Sequence, residues 1–395
     1  METNTPEPAT WPLLRLGFRP FYLGAAALAA VSVPLWFALY QGALTAHGVL
    51  PGLLWHAHEM LFGFAAAVIA GFLMTAVRNW TGLATPQGAT LGALALLWLA
   101  ARLAGLWVLM QPAAYGLYAL LDLALLPAVA TLLLGRLLRA GNRRNLPLVG
   151  LLFALTVANA AFHLSQLGAP LPALRSLYAA LGLIVMVETL MAGRVVPAFT
   201  ANATPGLRMA LRPWLERATL STTALGLALW VLTPTLSRAA AVALAAAATC
   251  HFARQWQWAP WVTRDRPILW ILHAAYAWIG IGFALLAWAL WWGQPVSLGV
   301  HALAVGATGG LIIGMITRTA RGHTGRMLTV GAPEVWAYAL VMLAALARVF
   351  WPLLAPQQLT VALATATAAW SLAFALYLWV YTPWLMQARV DGKDG

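Results

Sequence analysis

The stretch WHAHEMLFGFAAAVIAGFLMTAV, residues 55–77, decides the fold class. After its polar start it continues through residues 61–77 without a charged side chain. A helix that crosses a bilayer needs about 20 mostly apolar residues. The rest of the 395-residue chain has the same character, because 62% of its residues are hydrophobic and 8% are charged. Soluble domains carry about a quarter charged residues, so the sequence predicts an all-α integral membrane protein.

Apolar runs of this length recur along the whole chain and leave no stretch for a soluble domain. They predict a single membrane domain, 1–395, of three groups of helices: 1–4 (about 17–138), 5–8 (about 146–257) and 9–12 (about 267–384). The twelve predicted transmembrane helices lie at about 17–41, 54–77, 89–110, 114–138, 146–167, 173–193, 216–234, 238–257, 267–292, 297–318, 333–353 and 358–384.

The formal net charge of +13 is distributed unequally between the two sides of the predicted membrane domain. With alternating spans, 19 basic residues fall on one side and only Arg175 and Arg238 on the other. Loops on the cytoplasmic side of membrane proteins are enriched in lysine and arginine, so both termini are predicted to be cytoplasmic. Nucleic-acid binding would need a basic face on a soluble module, and we exclude it.

A sequence repeat relates the second predicted helix to the tenth. At a constant offset of 243 residues, His58 matches His301 and Gly63 matches Gly306. Helices 1–4 then resemble helices 9–12, which suggests three groups of four around a pseudo-threefold axis, with the functional site where the copies meet. Small residues follow each histidine on one helix face. They indicate either close helix packing or room for a flat macrocycle.

Four histidines are predicted at one depth near the extracytoplasmic surface: His56, His58, His163 and His301. A histidine inside a span usually faces the interior of the bundle, and neutral imidazole ligates iron, copper and zinc. His58 and His301 are our candidate pair of heme ligands. His56 lies about 200° around the helix from His58, so we assign it, with His163, to a second metal. A simple hydrogen-bonded role stays open for each of them.

Two further polar groups are predicted nearer the inner side. His273 and Tyr276 share a helix face and are candidates for a metal ligand and a proton or electron source, or for plain interior hydrogen bonding. His323 lies in RTARGHTGR, residues 318–326. The arginines of this segment are candidates for binding an anion or heme propionates, or they follow from topology alone: Arg318, Arg321 and Arg326.

Carboxylates inside predicted spans are few, and such groups are rarely neutral bystanders. Glu59 is a candidate for orienting a histidine ligand or for relaying protons. Glu188 is a candidate for proton movement or for a structural pair. Asp122 is predicted to pair with Arg102.

Taken together, these motifs resemble those of the NnrS family. The resemblance implies a twelve-helix protein of the bacterial cytoplasmic membrane that contains heme, of the b type, and copper, and is associated with nitric oxide metabolism and nitrosative stress. His47 and His251 lie outside the matching segments, and we assign them no function. The matching segments are LGFRPFYL (16–23), WHAHEMLFGFAAAVIAGFLMTAVRNWTG (55–82), NAAFHL (159–164), GRVVPAFT (193–200), LHAAYAW (272–278), HALAVGATGG (301–310) and TRTARGHTGR (317–326).

At the level of fold alone, the predicted architecture is also similar to the catalytic subunits of heme–copper oxidases and of their nitric oxide reductase relatives. In those proteins helices 2 and 10 hold a low-spin heme. This sequence has no adjacent histidine pair and no histidine on predicted helix 6 or 7. A copper site copied from the oxidases is therefore not expected.

We expect a heme-containing membrane oxidoreductase that reduces nitric oxide, in which Tyr276, Glu59 and Glu188 move protons. Its expected partners are nitric oxide, the lipid bilayer and an electron donor, either a quinol or a redox protein, because no soluble redox domain fits in the chain. Two other functions stay open at this point. One is a non-catalytic heme or copper protein that binds nitric oxide or protects metal pools, and the other is a transporter.

Overall fold

The computed structural model describes residues 11–393, apart from the side chain of Leu236, and that range contains helices but no β-strand. Ten helices in this range are long and apolar enough to cross a membrane. Numbered in chain order, these ten are α1 (Phe18–Tyr40), α2 (Gly52–Thr81), α3 (Gly88–Val108), α4 (Pro112–Arg139), α5 (Arg143–Gln166), α6 (Ala173–Ala203), α9 (Pro267–Trp292), α10 (Ser297–His323), α11 (Ala332–Leu354) and α12 (Pro356–Leu385).

Two more helices, α7 (Pro213–Leu232) and α8 (Ser237–Trp256), occupy the predicted seventh and eighth spans. Each has 20 residues but falls short of the apolarity of the other ten. The first turn of α7 contains Glu216, and α8 is mostly alanine with an arginine near its end. Apolarity among the described residues therefore supports ten candidate spans, two fewer than the sequence prediction.

Each of the two repeat histidines lies directly before a π-helical turn. His58 precedes the turn Glu59–Ala65 in α2, and His301 precedes the turn Ala302–Gly309 in α10. Turns of this kind are rare and occur most often at functional sites. The predicted repeat between α2 and α10 thus has a counterpart in the backbone.

The glycine faces of α2 and α10 are filled by neighbouring helices. A Cβ atom on Gly71 would lie 2.9 Å from Phe21 of α1, and one on Gly306 would lie 2.3 Å from the ring of Trp278 in α9. The repeat therefore extends to the packing, with α2 against α1 and α10 against α9. Of the two interpretations of these small residues, close helix packing is confirmed, and the macrocycle interpretation is wrong.

The contact between Gly306 and Trp278 gives a direct test of this packing. We expect Gly306→Ala to destabilise the detergent-solubilised protein by about 1–3 kcal/mol, because the buried indole ring cannot move away freely. The change is measured as a lower Tm. Gly150→Ala in α5 is the control, since a Cβ atom there meets nothing within 4 Å. An unchanged Tm in Gly306→Ala would contradict the packing described here.

Three cavities follow one another between α2, α6 and α10. The histidine cavity is lined by parts of residues 53–64, 174–181 and 297–308 of these helices. The middle cavity is lined by parts of 68–72, 184–196 and 311–315, and the arginine pocket by parts of 72–80, 191–199 and 315–323. Because all three helices contribute in the same order, the cavities form one row along the helix axes.

Candidate functional site

Three side chains from three helices converge in the interior beside the histidine cavity. His58 of α2, Asp122 of α4 and His163 of α5 each offer one ligand atom, and these atoms all lie within 4.8 Å of one another. The distances from Asp122 Oδ2 are 3.4 Å to His58 Nε2 and 3.1 Å to His163 Nε2. All three side chains are buried. Two imidazoles and a carboxylate in this arrangement can hold a transition-metal ion.

Tyrosines from one face of α4 orient both imidazoles. The hydroxyl of Tyr118 lies 2.7 Å from His58 Nδ1, and the hydroxyl of Tyr115 lies 2.9 Å from His163 Nδ1. These tyrosines and Asp122 are three and four residues apart along the helix, which places all of them on one face. Each Nδ1 atom is therefore engaged and each Nε2 atom is turned toward the carboxylate. Partners of this kind fix the ring orientation of metal-binding histidines.

A buried guanidinium balances the two carboxylates of this region. Arg102 of α3 donates to Glu59 Oε2 at 2.8 Å and also forms an ion pair with Asp122. The predicted pair between Arg102 and Asp122 is thereby confirmed, and Glu59 shares the same arginine. Glu59 Oε1 in addition accepts a hydrogen bond of 2.9 Å from Tyr118. A continuous path of hydrogen bonds thus joins Glu59, Tyr118 and His58.

The histidine cavity contains the other two outer histidines, His56 and His301. His301 Nδ1 lies 2.8 Å from the carbonyl oxygen of Ser297, and because a carbonyl only accepts, this nitrogen carries the hydrogen. The lone pair on His301 Nε2 is then available to a ligand. His56 stacks on Trp36 at 4.5 Å, and its buried Nδ1 atom has no hydrogen-bond partner within residues 11–393. The guanidinium of Arg348 also lines the cavity.

The structure groups the four outer histidines differently from the sequence prediction. It brings His58 together with His163, and His56 together with His301. Sequence reasoning had paired His58 with His301, and His56 with His163. The expectation that His56 and His58 face different sites agrees with this geometry, but the partner of each is exchanged. Metal ligation by these four histidines stays a prediction.

A second buried network contains a histidine that sequence reasoning set aside. The hydroxyl of Tyr276 lies 2.7 Å from His251 Nδ1 and accepts from Arg254 at 3.0 Å. Arg254 also pairs with Glu216. The signal that could have found this network is the presence of Glu216 and Arg254 in α7 and α8, the two spans of lower apolarity.

His273, the predicted partner of Tyr276, bonds instead to another residue. Its Nε2 atom lies 2.9 Å from the hydroxyl of Thr200, and its buried Nδ1 atom has no hydrogen-bond partner in the part of the chain that is described. A shared helix face therefore did not bring His273 and Tyr276 into one hydrogen-bonded group.

The predicted cluster around His323 is divided among several partners. Arg321 pairs with Glu334, and the guanidinium of Arg326 lies 4.3 Å above the ring of Trp384. Of the four residues of this predicted cluster, only Arg318 and His323 line the arginine pocket. The three predicted arginines therefore do not form a single anion site.

Glu188 lies on the wall of the middle cavity, among apolar residues of α2, α6 and α10. Its buried Oε2 atom has no hydrogen-bond partner among the described residues. The hydroxyl of Thr308, which lines the histidine cavity, is a polar neighbour of this carboxyl group. A carboxyl group in an apolar interior costs free energy, and within residues 11–393 no basic side chain forms an ion pair with Glu188.

Comparison with protein families identifies the family of this chain. The family model described as NnrS protein matches residues 12–389 of the chain. The match covers the candidate metal cluster and all three cavities. No curated protein matches the chain.

Proposed function

The chain belongs to the NnrS family, and we propose that it is a metal-dependent membrane oxidoreductase that reduces nitric oxide. The observation that carries the proposal is the buried convergence of His58, His163 and Asp122. The tyrosine partners of both imidazoles are consistent with a metal centre, because histidines that bind metals usually have their other ring nitrogen held by a hydrogen bond.

We assign a non-heme metal ion to His58, His163 and Asp122. This donor set suits copper, iron or zinc, and the family resemblance favours copper. A metal ion held by His58 and His163 through Nε2 would leave the hydrogen on each Nδ1 atom, which would donate to a tyrosine oxygen. Tyr118 in turn donates its hydroxyl hydrogen bond to Glu59 Oε1. Each hydrogen between His58 and Glu59 then has one acceptor.

Without a metal, these hydrogen bonds conflict when His58 is neutral. His58 Nε2 lies 2.9 Å from the side-chain oxygen of Asn159, which only accepts. A neutral His58 then carries its hydrogen on Nε2 and needs a donor at Nδ1. The single hydroxyl hydrogen of Tyr118 would have to serve both His58 and an ionised Glu59. A metal on His58 Nε2 removes this conflict, as does a second proton on His58, and the convergence with His163 and Asp122 is what favours the metal.

We assign the heme to the histidine cavity, with His56 and His301 as the residues that would hold it. The unpartnered Nδ1 atom of His56 and the free lone pair of His301 Nε2 fit this role. Arg348 offers its guanidinium to a propionate. The cavity volume of about 260 Å³ is below the roughly 300–1,000 Å³ that is typical of small-molecule pockets. A macrocycle therefore requires shifts of flexible wall residues such as Met60.

A heme bound there would supply one-electron chemistry. Reduction of two nitric oxide molecules to nitrous oxide and water consumes two electrons and two protons. Glu59 can hold a proton at Oε1, beside the hydroxyl of Tyr118. Glu188 offers a second position at its unpartnered Oε2 atom. The participation of Tyr276 in proton transfer stays a prediction. Its hydroxyl accepts a hydrogen bond from Arg254 in the second buried network.

We propose that the protein lies in the bacterial cytoplasmic membrane with both termini in the cytoplasm, which the charge asymmetry supports. In this arrangement α7 and α8 complete twelve spans in three groups of four. Nitric oxide is small and apolar and reaches the interior through lipid. Electrons come from a quinol or a redox protein.

The proposed activity is tested by anaerobic consumption of nitric oxide with an artificial electron donor. We expect purified protein to consume nitric oxide and to form nitrous oxide, and His163→Ala to lose this activity. Binding of nitric oxide without turnover, in protein that contains both metals, would favour the non-catalytic alternative. A purified protein without a heme absorption band would favour transport, a function that the row of three cavities also suits.

The proposed heme ligands make a prediction about absorption spectra. We expect His56→Ala and His301→Ala each to abolish or shift the Soret band, because each removes an imidazole from the histidine cavity. His58→Ala is the matched control from the same helix, and we expect it to keep the band. Loss of the band in His58→Ala, together with an unchanged band in His56→Ala, would restore the pair predicted from sequence.

A further inference from the structure

The arginine pocket, with a volume of about 810 Å³, is the largest of the three cavities between α2, α6 and α10. Four guanidinium groups from four segments of the chain line it: Arg144 at the start of α5, Arg194 of α6, Arg318 of α10 and Arg389 after α12. None of the described lining residues is acidic. The pocket therefore carries a concentrated positive charge on a concave surface.

Most of this charge is not neutralised by the protein. Arg389 pairs with Asp391 at 2.6 Å, but Arg144, Arg194 and Arg318 have no ion-pair partner within residues 11–393. Neutral groups hold two of them in place. Arg194 donates to the side-chain oxygen of Asn145 at 2.7 Å, and the guanidinium of Arg318 lies 3.7 Å from the ring centre of Phe199. These contacts orient both guanidinium groups while leaving their charge available.

Topology accounts for the side of the membrane on which Arg194 and Arg318 lie, but it does not account for their position on the wall of a cavity. Arg194 and Arg318 are half-buried within α6 and α10, on the row of cavities. Elsewhere in the same helical bundle, Arg102 and Arg254 each pair with a carboxylate. Arg194 and Arg318 have no such partner within residues 11–393, so their guanidinium groups are available to an anion from outside the chain.

We propose that the arginine pocket binds a soluble molecule that carries a phosphate group with more than one negative charge. Guanidinium groups match phosphate oxygens in pairs, and the side-chain amides of Asn79 and Asn142 on the wall offer further donors. A phospholipid headgroup has the same chemistry. The position of the pocket favours the soluble source, because the pocket is lined by α2 and α10, the most deeply buried of the ten candidate spans.

The test uses the full-length protein in detergent and radiolabelled pyrophosphate in equilibrium dialysis. We expect saturable binding that Arg194→Gln combined with Arg318→Gln weakens about tenfold or more, since each removes a charge-assisted hydrogen bond. Arg139→Gln combined with Arg217→Gln removes the same charge from exposed positions outside the pocket and should leave binding unchanged. If the first double variant fails to fold, Arg318→Gln alone replaces it.

A second arm distinguishes the source of the phosphate. Native mass spectrometry after reconstitution with phosphatidylglycerol reports any retained lipid. Lipid that is retained by the wild type and lost in the pocket variant, without pyrophosphate binding, would overturn the soluble source and assign the pocket to a headgroup. Binding of neither probe, or equal weakening by both double variants, would overturn the proposal. Neither arm depends on nitric oxide turnover, so the proposed function can fail independently.

Discussion

Replacement of His163 by alanine is expected to remove the non-heme metal from the purified protein while the heme band remains. The change deletes one of three buried donors and leaves His58 and Asp122 as an incomplete pair. Loss of an outer partner of a ligand typically weakens metal binding by about 10–100-fold, and loss of a ligand itself should exceed that range. The measurement is metal content by plasma mass spectrometry after dialysis against a chelator.

Two matched variants make this prediction specific. Tyr115→Phe removes only the hydroxyl that orients His163, and we expect an intermediate loss of about 10–100-fold in metal affinity. His47→Ala changes an exposed loop histidine and should leave the metal content unchanged. If His163→Ala contained as much metal as the wild type, the metal would be bound elsewhere.

Replacement of Arg102 by methionine is expected to have the largest effect on stability. Arg102 is buried and is the shared partner of Glu59 and Asp122. Its loss leaves two buried carboxylates without a compensating charge, and breaking a buried pair in this way costs about 3–5 kcal/mol. The measurement is Tm of the detergent-solubilised protein, together with the yield of protein extracted from membranes.

A compensating variant separates charge from shape in this prediction. Arg102→Met combined with Glu59→Gln and Asp122→Asn removes all three charges, and replacing a whole ionic group is often close to neutral for stability. We therefore expect the triple variant to regain most of the lost Tm. A single variant as stable as the wild type, or a triple variant less stable than the single one, would contradict the assigned role of Arg102.

The membrane class and most helix positions follow from the sequence, because long apolar runs have one physical solution in a bilayer. The pair between Arg102 and Asp122 was also predictable, because charged groups inside spans are few, costly and usually paired with one another. The two spans of lower apolarity, α7 and α8, show the limit of this reasoning. Their polar residues Glu216 and Arg254 serve an internal network and thereby lower the apolarity that identifies a span.

The grouping of the histidines could not be predicted, because depth along a helix does not fix the direction in which a side chain points. His58 and His301 match in sequence and depth, yet His58 lies beside α4 and α5, while His301 lines the histidine cavity. The tyrosines that orient the cluster, Tyr115 and Tyr118, gave no signal of their own. Tyrosine is common near membrane interfaces, and only the fold brings these two against His163 and His58.

The central claim is that one interior holds two different metal sites, with a metal ion at His58, His163 and Asp122 beside a heme held by His56 and His301. The most direct measurement is the metal content of the purified wild-type protein, determined together with its heme content. We predict one non-heme transition-metal ion for each chain in addition to heme. Protein that contains heme but only trace amounts of any other transition metal would contradict this account.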